Sequence, residues 1–528
     1  MSRISQKNYK SKKKSRRMKA WNTLRKKRRS RWQSLKKKKE LTEEQKKIRV
    51  EKILESKKQK ERLRQLEMDK KECKNIRSLN KALFSVLKPE TLQNLAKATG
   101  FIKRSGGKIT AFAFIYILSF GFFGNGAVAL PYLVKDLQNY FKIFVTIQGL
   151  SKRINSKAGV VFLKETLKNL MATQLNVGAS NKISKMLPMF SSIYLEDSTL
   201  ISLNETLEPF FVGNGGGASK SAMKINFIYD IVNLCVLKIK ITSGIVSDYA
   251  NSLDILKFIK PGTLVIRDLG YFMISNLKKI ECLKGFYLSR LSISTNIYLN
   301  KNDQEPLNIP TFLKKQLKKG KKFISIDVYV GNEERFKTRL VAEAVPKSVI
   351  AQREEKYEKK YKKKPSEHYI EWCNFSIFIT NIPEDVFEEK IIINLYKIRW
   401  QIELIFKNFK SNIELDIIEG TNPQRVESLL YGRLITIVII FMIHNYAASI
   451  AENREVSGDK LTKWLKNSKS LHLAIRKNNI KPLLIRLEFN INLVCKQELK
   501  RKTTFDELSE HLQTEKINQE SKLYKFSA

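Results

Sequence analysis

Five short runs dominated by β-branched and aromatic residues lie between residues 193 and 291, and they constrain the fold more than any other feature. IYLEDSTLISL, KINFIYDIV and VLKIKIT come first, and TLVIRDLGYF and FYLSRL follow. Runs of this length and composition suit a pleated, half-buried surface and predict strands. A helical pattern, roughly Val246 to Ile259, separates the third from the fourth, and another is expected after Tyr271. Three adjacent strands, a crossover helix and further strands predict a mixed α/β sheet with helices on its faces. KKFISIDVYV and RLVAEAV carry the strand pattern through 292–382, interrupted by the lysine-rich REEKYEKKYKKKPSEHYIEW. That stretch is expected to be an inserted, mostly β subdomain.

A chain of 528 residues exceeds one ordinary core, so about two to four domains are expected. Its 99 Lys and Arg against 51 Asp and Glu leave a net charge of +48. Such an excess points to an anionic polymer as partner, because each cation set against a phosphate releases a counterion. The charge is concentrated: residues 1–80 hold 32 Lys and Arg against nine acids, and the first 39 hold no acid. Such a segment cannot bury an apolar face, so a disordered phosphate-binding arm is expected, with a helix from Leu41 to Leu66 where acids return.

Cys73, Cys235, Cys282, Cys373 and Cys495 never form a Cys-x-x-Cys pair, and the four histidines are dispersed. Free thiols in a reducing compartment and no zinc site are expected. Residues 111–133, AFAFIYILSFGFFGNGAVALPYL, carry no charge, but glycines and Pro131 break the run. It reads as a buried helix and a turn, as does Leu434 to Ile443, so no membrane partner is expected. The basic start lacks a secretory h-region, and a cytoplasmic, nucleoid-associated protein is expected. RSGGKIT and the glycine-rich VGNGGGASK both lack P-loop spacing.

Residues 86–185 read as helical. Within them, Pro131–Tyr140 and Thr146–Asn155 form a helical pair, with Leu133, Leu137, Leu150 and Ile154 inward. Gln148, Lys152 and Arg153 would face outward, the layout of a helix-turn-helix whose second helix enters the major groove. Ordinary helical packing gives the same pattern.

Two acids interrupt the strands: Asp197 in the first, and Asp268 at the end of TLVIRDLGYF. Buried acids are costly unless paired, so a hard cation between them, Mg²⁺ or Mn²⁺, is one reading, and strand-end pairing with Lys or Arg is the other. Further on, NLYKIRWQIELIFKNFK reads as one amphipathic helix. At 100° per residue, Tyr396, Arg399, Glu403 and Lys410 fall within about 60° of each other, with Ile398, Ile402, Ile405 and Phe409 opposite. A carboxylate flanked by cations can hold metal while Arg and Lys grip phosphates.

The spacing Tyr396-x2-Arg399-x3-Glu403-x6-Lys410 resembles the Tyr-Arg-Glu-Lys signature of DDE transposases of the fourth insertion-sequence family. EDSTLISL and IRDLGYF resemble its two aspartate segments, and FYLSRL, FITNIP and GLSKRIN resemble further elements in the same order. The resemblance covers about residues 90–450. It implies a ribonuclease-H-like mixed sheet with a β-rich insertion, preceded by a helical DNA-binding region and the basic arm. The expected division is 1–85 arm, 86–185 helical region, 186–291 first part of the catalytic core, 292–382 insertion, 383–451 second part of the core, and 452–528 a C-terminal helical region suited to dimerisation. It further implies that Asp197, Asp268 and Glu403 are catalytic and hold two Mg²⁺ or Mn²⁺ ions for in-line phosphoryl transfer. Tyr396, Arg399 and Lys410 would contact DNA at the terminal inverted repeats, with target DNA and a synaptic homodimer as the remaining partners. Relatives hold a flipped base on a tryptophan in the insertion; here that position, four before Thr380, is Ser376, and Trp372 and Phe375 are the nearest aromatics. A metal nuclease without strand transfer and a decayed DNA-binding derivative are the alternatives.

Overall fold

The computed structural model describes residues 23, 25–27, 29–30, 74–104, 107–123, 129–174, 182–216, 218–451, 454–496 and 506–513. The chain divides into residues 1–74 and 75–528. In the first unit the described residues between 23 and 30 are helical; the rest of the basic arm, the helix expected at Leu41 to Leu66 and Cys73 lie outside the described residues. Everything below concerns the second unit.

Its helical region contains α1 (Ala111–Phe120), α2 (Leu130–Phe141), α3 (Ile147–Ile154) and α4 (Lys157–Ala172). Local chemistry sets the boundaries. Thr110, Thr146 and Ser156 cap α1, α3 and α4 by accepting a backbone N–H from Ala113, Gly149 and Gly159, which satisfies an otherwise orphaned donor. Lys142 ends α2 in the left-handed conformation at φ 57° and begins the turn into α3. Leu133, Leu137, Leu150 and Ile154 are all fully buried, as the pattern predicts.

Nine strands form one sheet: β1 (Ser192–Ser202), β2 (Ala222–Asp230), β3 (Cys235–Ser243), β4 (Thr263–Arg267), β5 (Phe286–Arg290), β6 (Ile297–Tyr298), β7 (Phe323–Val330), β8 (Phe336–Ala344) and β9 (Phe375–Thr380). The spatial order is β3-β2-β1-β4-β5-β9-β8-β7-β6. The first three strands form an antiparallel meander; β4 then runs parallel to β1, and β5 parallel to β4.

Two features differ from the sequence expectation. Between β3 and β4 the chain makes a short helix, Asp248–Asn251, and a 3₁₀ turn, Asp254–Phe258, where a single helix was expected. The segment 292–382 contributes strands to the main sheet instead of closing as a subdomain. β9 pairs antiparallel with β5, Leu288 opposite Thr380, and β8 then pairs with β9. An open β5 edge would leave a row of unpaired backbone groups, and the segment covers it. Its lysine-rich part forms two helices, α5 (Lys347–Tyr361) and α6 (Glu367–Cys373).

Beyond β9 come α7 (Glu389–Lys397), α8 (Trp400–Ile413) and α9 (Pro423–Ile450). Among the described residues α9 alone is long and apolar enough to cross a membrane, yet 94% of its most apolar stretch is buried inside the fold. Helix α1, the other apolar run, is buried at every residue. The two pack together at Gly432, where a Cβ would stand 2.2 Å from the Leu118 carbonyl oxygen, and Thr436 Oγ1 donates to Ser119 O at 2.5 Å. Glycine is required by this approach of two backbones. Gly432→Ala should therefore lower stability by about 1–3 kcal/mol, the usual cost of overpacking, measured by chemical denaturation; an unchanged midpoint would contradict the contact.

Candidate active site

Strand alternation selects the face on which the acids stand. In β1, Ile193 and Leu195 belong to the core cluster shared with α7, α8 and α9, whereas Tyr194 belongs to the cluster on the other face. In β4, Leu264 and Ile266 point toward the first cluster and Val265 toward the second. With a two-residue period, Asp197 and Asp268 share the first face and Glu196 and Arg267 the second. The register places Glu196 opposite Arg267, so each aspartate follows a paired position on adjacent parallel strands.

Behind the aspartates, Arg267 Nε meets Glu196 Oε2 at 2.9 Å, with both side chains almost wholly buried. Arg267 Nη2 also donates to Ser252 O at 2.6 Å. Burial pushes the Glu196 carboxyl up to about 7 against the opposing pull of Arg267. The sequence carried a signal for this pair, an acid and a cation each immediately preceding a candidate aspartate, that went unread.

The segment expected as one signature helix is two. Helix α7 ends at Lys397, residues 398 and 399 form a turn, and α8 starts at Trp400. Tyr396 therefore closes the first helix and Arg399 precedes the second. Tyr396 faces inward. Its ring is buried against Phe378, centroids 4.8 Å apart, and its hydroxyl donates toward Arg267 O at 3.3 Å and Asp268 Oδ1 at 3.4 Å. Burial raises its pKa, so it remains a neutral donor to Asp268.

Arg399 joins the three acids. Nη1 lies 3.4 Å from Asp197 Oδ2, Nε 4.0 Å from Asp268 Oδ1, and Nη2 2.5 Å from Glu403 Oε1. Burial works against its charge, yet Asp268 and Glu403 outweigh burial and raise its pKa. Asp197 also accepts the Ser198 N–H at 2.8 Å, while Ser198 Oγ donates to Asp248, itself paired with Lys224. Burial raises the Asp197 carboxyl to about 6 despite these donors.

Among the described residues no three acid, His or Cys side chains stand close enough to hold a metal as they are arranged; the guanidinium occupies the space between the carboxylates. The donor set nonetheless fits Mg²⁺ or Mn²⁺, since it is all oxygen, all carboxylate and already arranged around a cation.

The remaining expected site residues divide. Lys410 is partly exposed, its Nζ donating to Leu200 O of β1 at 3.3 Å. Gln148 and Lys152 are exposed on α3. Arg153 is committed inward, donating to Phe101 O at 2.8 Å and lying over the Phe101 ring. Phe375 is 2% exposed inside β9, so it offers no free ring face, whereas Trp372 is partly buried against the core. Trp400, next to Arg399 at the start of α8, is a further exposed aromatic, at 56%.

Two aspartates from adjacent parallel strands and a glutamate from a following helix are gathered at one cation, the arrangement expected of a DDE-type phosphoryl-transfer domain. Residues 188–439 match the family model described as "Transposase DDE domain". The chain is 29% identical over 450 residues to the transposase for insertion sequence element IS231B of Bacillus thuringiensis subsp. berliner, covering 80% of this chain and 92% of the relative. The transposase for insertion sequence element IS1151 of Clostridium perfringens is 26% identical, covering 73% and 85%. A piggyBac transposase synaptic complex with hairpin DNA superposes at a TM-score of 0.43 and 11% identity, covering 81% of this chain and 87% of that one, a likeness too distant to argue from. Residues 188–439 are thus a transposase DDE domain, in a chain similar over most of its length to the transposases of bacterial insertion sequences.

The raised Asp197 pKa has two consequences of definite sign. The folded chain holds this proton more tightly than the unfolded one, so the contribution to stability is full below the ordinary carboxylate range and is lost as pH rises through about 6. Catalysis goes the other way, because a ligating carboxylate must be ionised. DNA cleavage should fall as pH drops through about 6, with the limb moving to lower pH as Mg²⁺ is raised. A pH–rate profile flat across that value would contradict the assignment.

Proposed function

We propose that this transposase excises its insertion sequence at terminal inverted repeats and joins it to target DNA, using a ribonuclease-H-like core in which Asp197, Asp268 and Glu403 hold two divalent ions. The observation that carries this reading is the convergence of those three carboxylates, from β1, β4 and α8, on the single guanidinium of Arg399. The antiparallel meander followed by parallel β4 and β5 supports the ribonuclease-H-like assignment. When bound, the ions supply a nucleophile at neutral pH and stabilise the leaving oxygen of an in-line displacement.

The protein's own residues do the positioning. Asp197 and Asp268 are fixed side by side by strand register, and the Tyr396 hydroxyl orients Asp268. Lys410, at the rim, offers a mobile ammonium to a DNA phosphate. Trp400 presents an aromatic face to a base displaced from the duplex, the role that Phe375 cannot fill. Gln148 and Lys152 on α3 are placed to meet a major groove. Synapsis of two ends calls for a homodimer.

Asp197→Ala, Asp268→Ala and Glu403→Ala should each abolish Mg²⁺-dependent cleavage of DNA carrying the element's ends, measured with end-labelled duplexes, while duplex binding by gel shift persists. Normal cleavage by any one of them would overturn the triad. Cleavage without joining to target DNA would favour a nuclease over a transposition enzyme.

A further inference from the structure

Arg399 is placed where its expected task, gripping a DNA phosphate, cannot be carried out. Its side chain is 16% exposed, and all three guanidinium nitrogens face carboxylates. Among the described residues no other Lys or Arg pairs with Asp197, Asp268 or Glu403. Three carboxylates gathered around one point repel one another unless a positive charge lies between them. The chain supplies that charge itself.

Rest and catalysis demand different occupants of this position. A Mg²⁺ ion needs carboxylate oxygens at about 2.0–2.1 Å in near-octahedral geometry, whereas here the same oxygens point at guanidinium nitrogens 2.5–4.0 Å away. A divalent ion held directly by Asp197 and Glu403 would displace the Arg399 side chain. Arginine also has a natural second partner in this enzyme, because its planar fork matches a phosphate as well as a carboxylate. Its position in the turn between α7 and α8 lets the long side chain swing without unwinding either helix.

We propose that Arg399 is the resident counter-cation of the metal-free acid cluster and exchanges with the divalent ions, leaving for a DNA phosphate as they enter. This rests on the reading of Asp197, Asp268 and Glu403 as metal ligands. Arg399 holds the carboxylates together before the ions arrive, and it opposes metal binding until DNA offers the guanidinium another anion. Linkage then runs both ways: DNA that engages Arg399 tightens metal binding, and bound metal frees Arg399 for DNA.

The exchange makes a prediction of unusual sign, in that removing a residue of the catalytic signature improves binding of the catalytic ion. The test is Mn²⁺ binding to the full chain without DNA, read from loss of the free Mn²⁺ electron paramagnetic resonance signal. Each variant is paired with the same variant carrying Asp197→Asn, to subtract unrelated sites. Arg399→Gln should bind Mn²⁺ about tenfold more tightly than the unaltered chain, near the lower end of ordinary coupling between sites, and Asp197→Asn should erase the gain. Arg399→Met, which keeps the stem without the charge, should behave likewise and serves if Arg399→Gln folds poorly. Lys407→Gln removes the same charge from an exposed position of α8 that pairs with none of the three acids among the described residues, and should leave Mn²⁺ affinity unchanged.

Equal or weaker Mn²⁺ binding in both Arg399 variants would overturn the exchange while leaving the metal site intact. A gain of the same size in Lys407→Gln would also overturn it, since general field would then suffice. Mn²⁺ binding indifferent to Asp197→Asn in every background would remove the metal-site reading itself, and the exchange with it.

Discussion

The parallel pairing of β1 and β4, pinned by the buried ion pair of Glu196 and Arg267, is the constraint on which the site depends. Strand register alone could slip, and a slip of one residue would turn Asp197 or Asp268 to the opposite face. The Glu196–Arg267 contact at 2.9 Å resists this, because moving either strand would strand a charge in an apolar layer. Removing one partner of such a pair costs about 3–5 kcal/mol. The pair contributes specificity more than net stability: it makes one register far better than its neighbours. The two aspartates follow their partners by one residue and inherit that register.

The third acid reaches the site by a different route. Helix α8 is laid on the sheet by Ile402, Phe406 and Phe409, all buried, with Phe409 meeting Phe227 of β2 at 5.7 Å between centroids. Helix α9 then fixes α8 from behind and extends into the helical region. Arg425 at its start donates to Asn155 Oδ1 at 3.0 Å and Ser151 Oγ at 2.6 Å, and Ser428 Oγ donates to Ile154 O at 2.8 Å. Helix α3 and the helix that carries Glu403 are thus both packed on one buried helix. DNA held on α3 would be held at a set distance from the carboxylates, which orientation-dependent phosphoryl transfer requires.

Much of this was legible in the sequence because it follows from periodicity. The strands fall where β-branched and aromatic residues concentrate, Asp197 and Asp268 interrupt them, and Glu403 lies on an amphipathic helix. What was not legible depends on tertiary partners. An exposed-looking polar stripe cannot reveal that Tyr396 is drawn inward by Asp268 and Phe378, since a tyrosine suits either side of a helix. The turn at Arg399 is hidden because residues 398 and 399 keep helical dihedrals. Arg153 resembled a DNA-facing cation until the Phe101 carbonyl appeared beside it. The insertion misled most: strand-rich sequence predicts strands but not which sheet they join, and the open edge of β5 decided that.

The central claim is that Asp197, Asp268 and Glu403, separated by as much as 206 positions in the chain, form one divalent-metal site. The most direct measurement is anomalous diffraction at the manganese edge from crystals of the chain grown with Mn²⁺. The account predicts anomalous peaks bounded by oxygens of those three residues, on the face of the sheet covered by α8. Peaks confined to other carboxylates, with Asp197, Asp268 and Glu403 still turned toward Arg399 at saturating Mn²⁺, would contradict it.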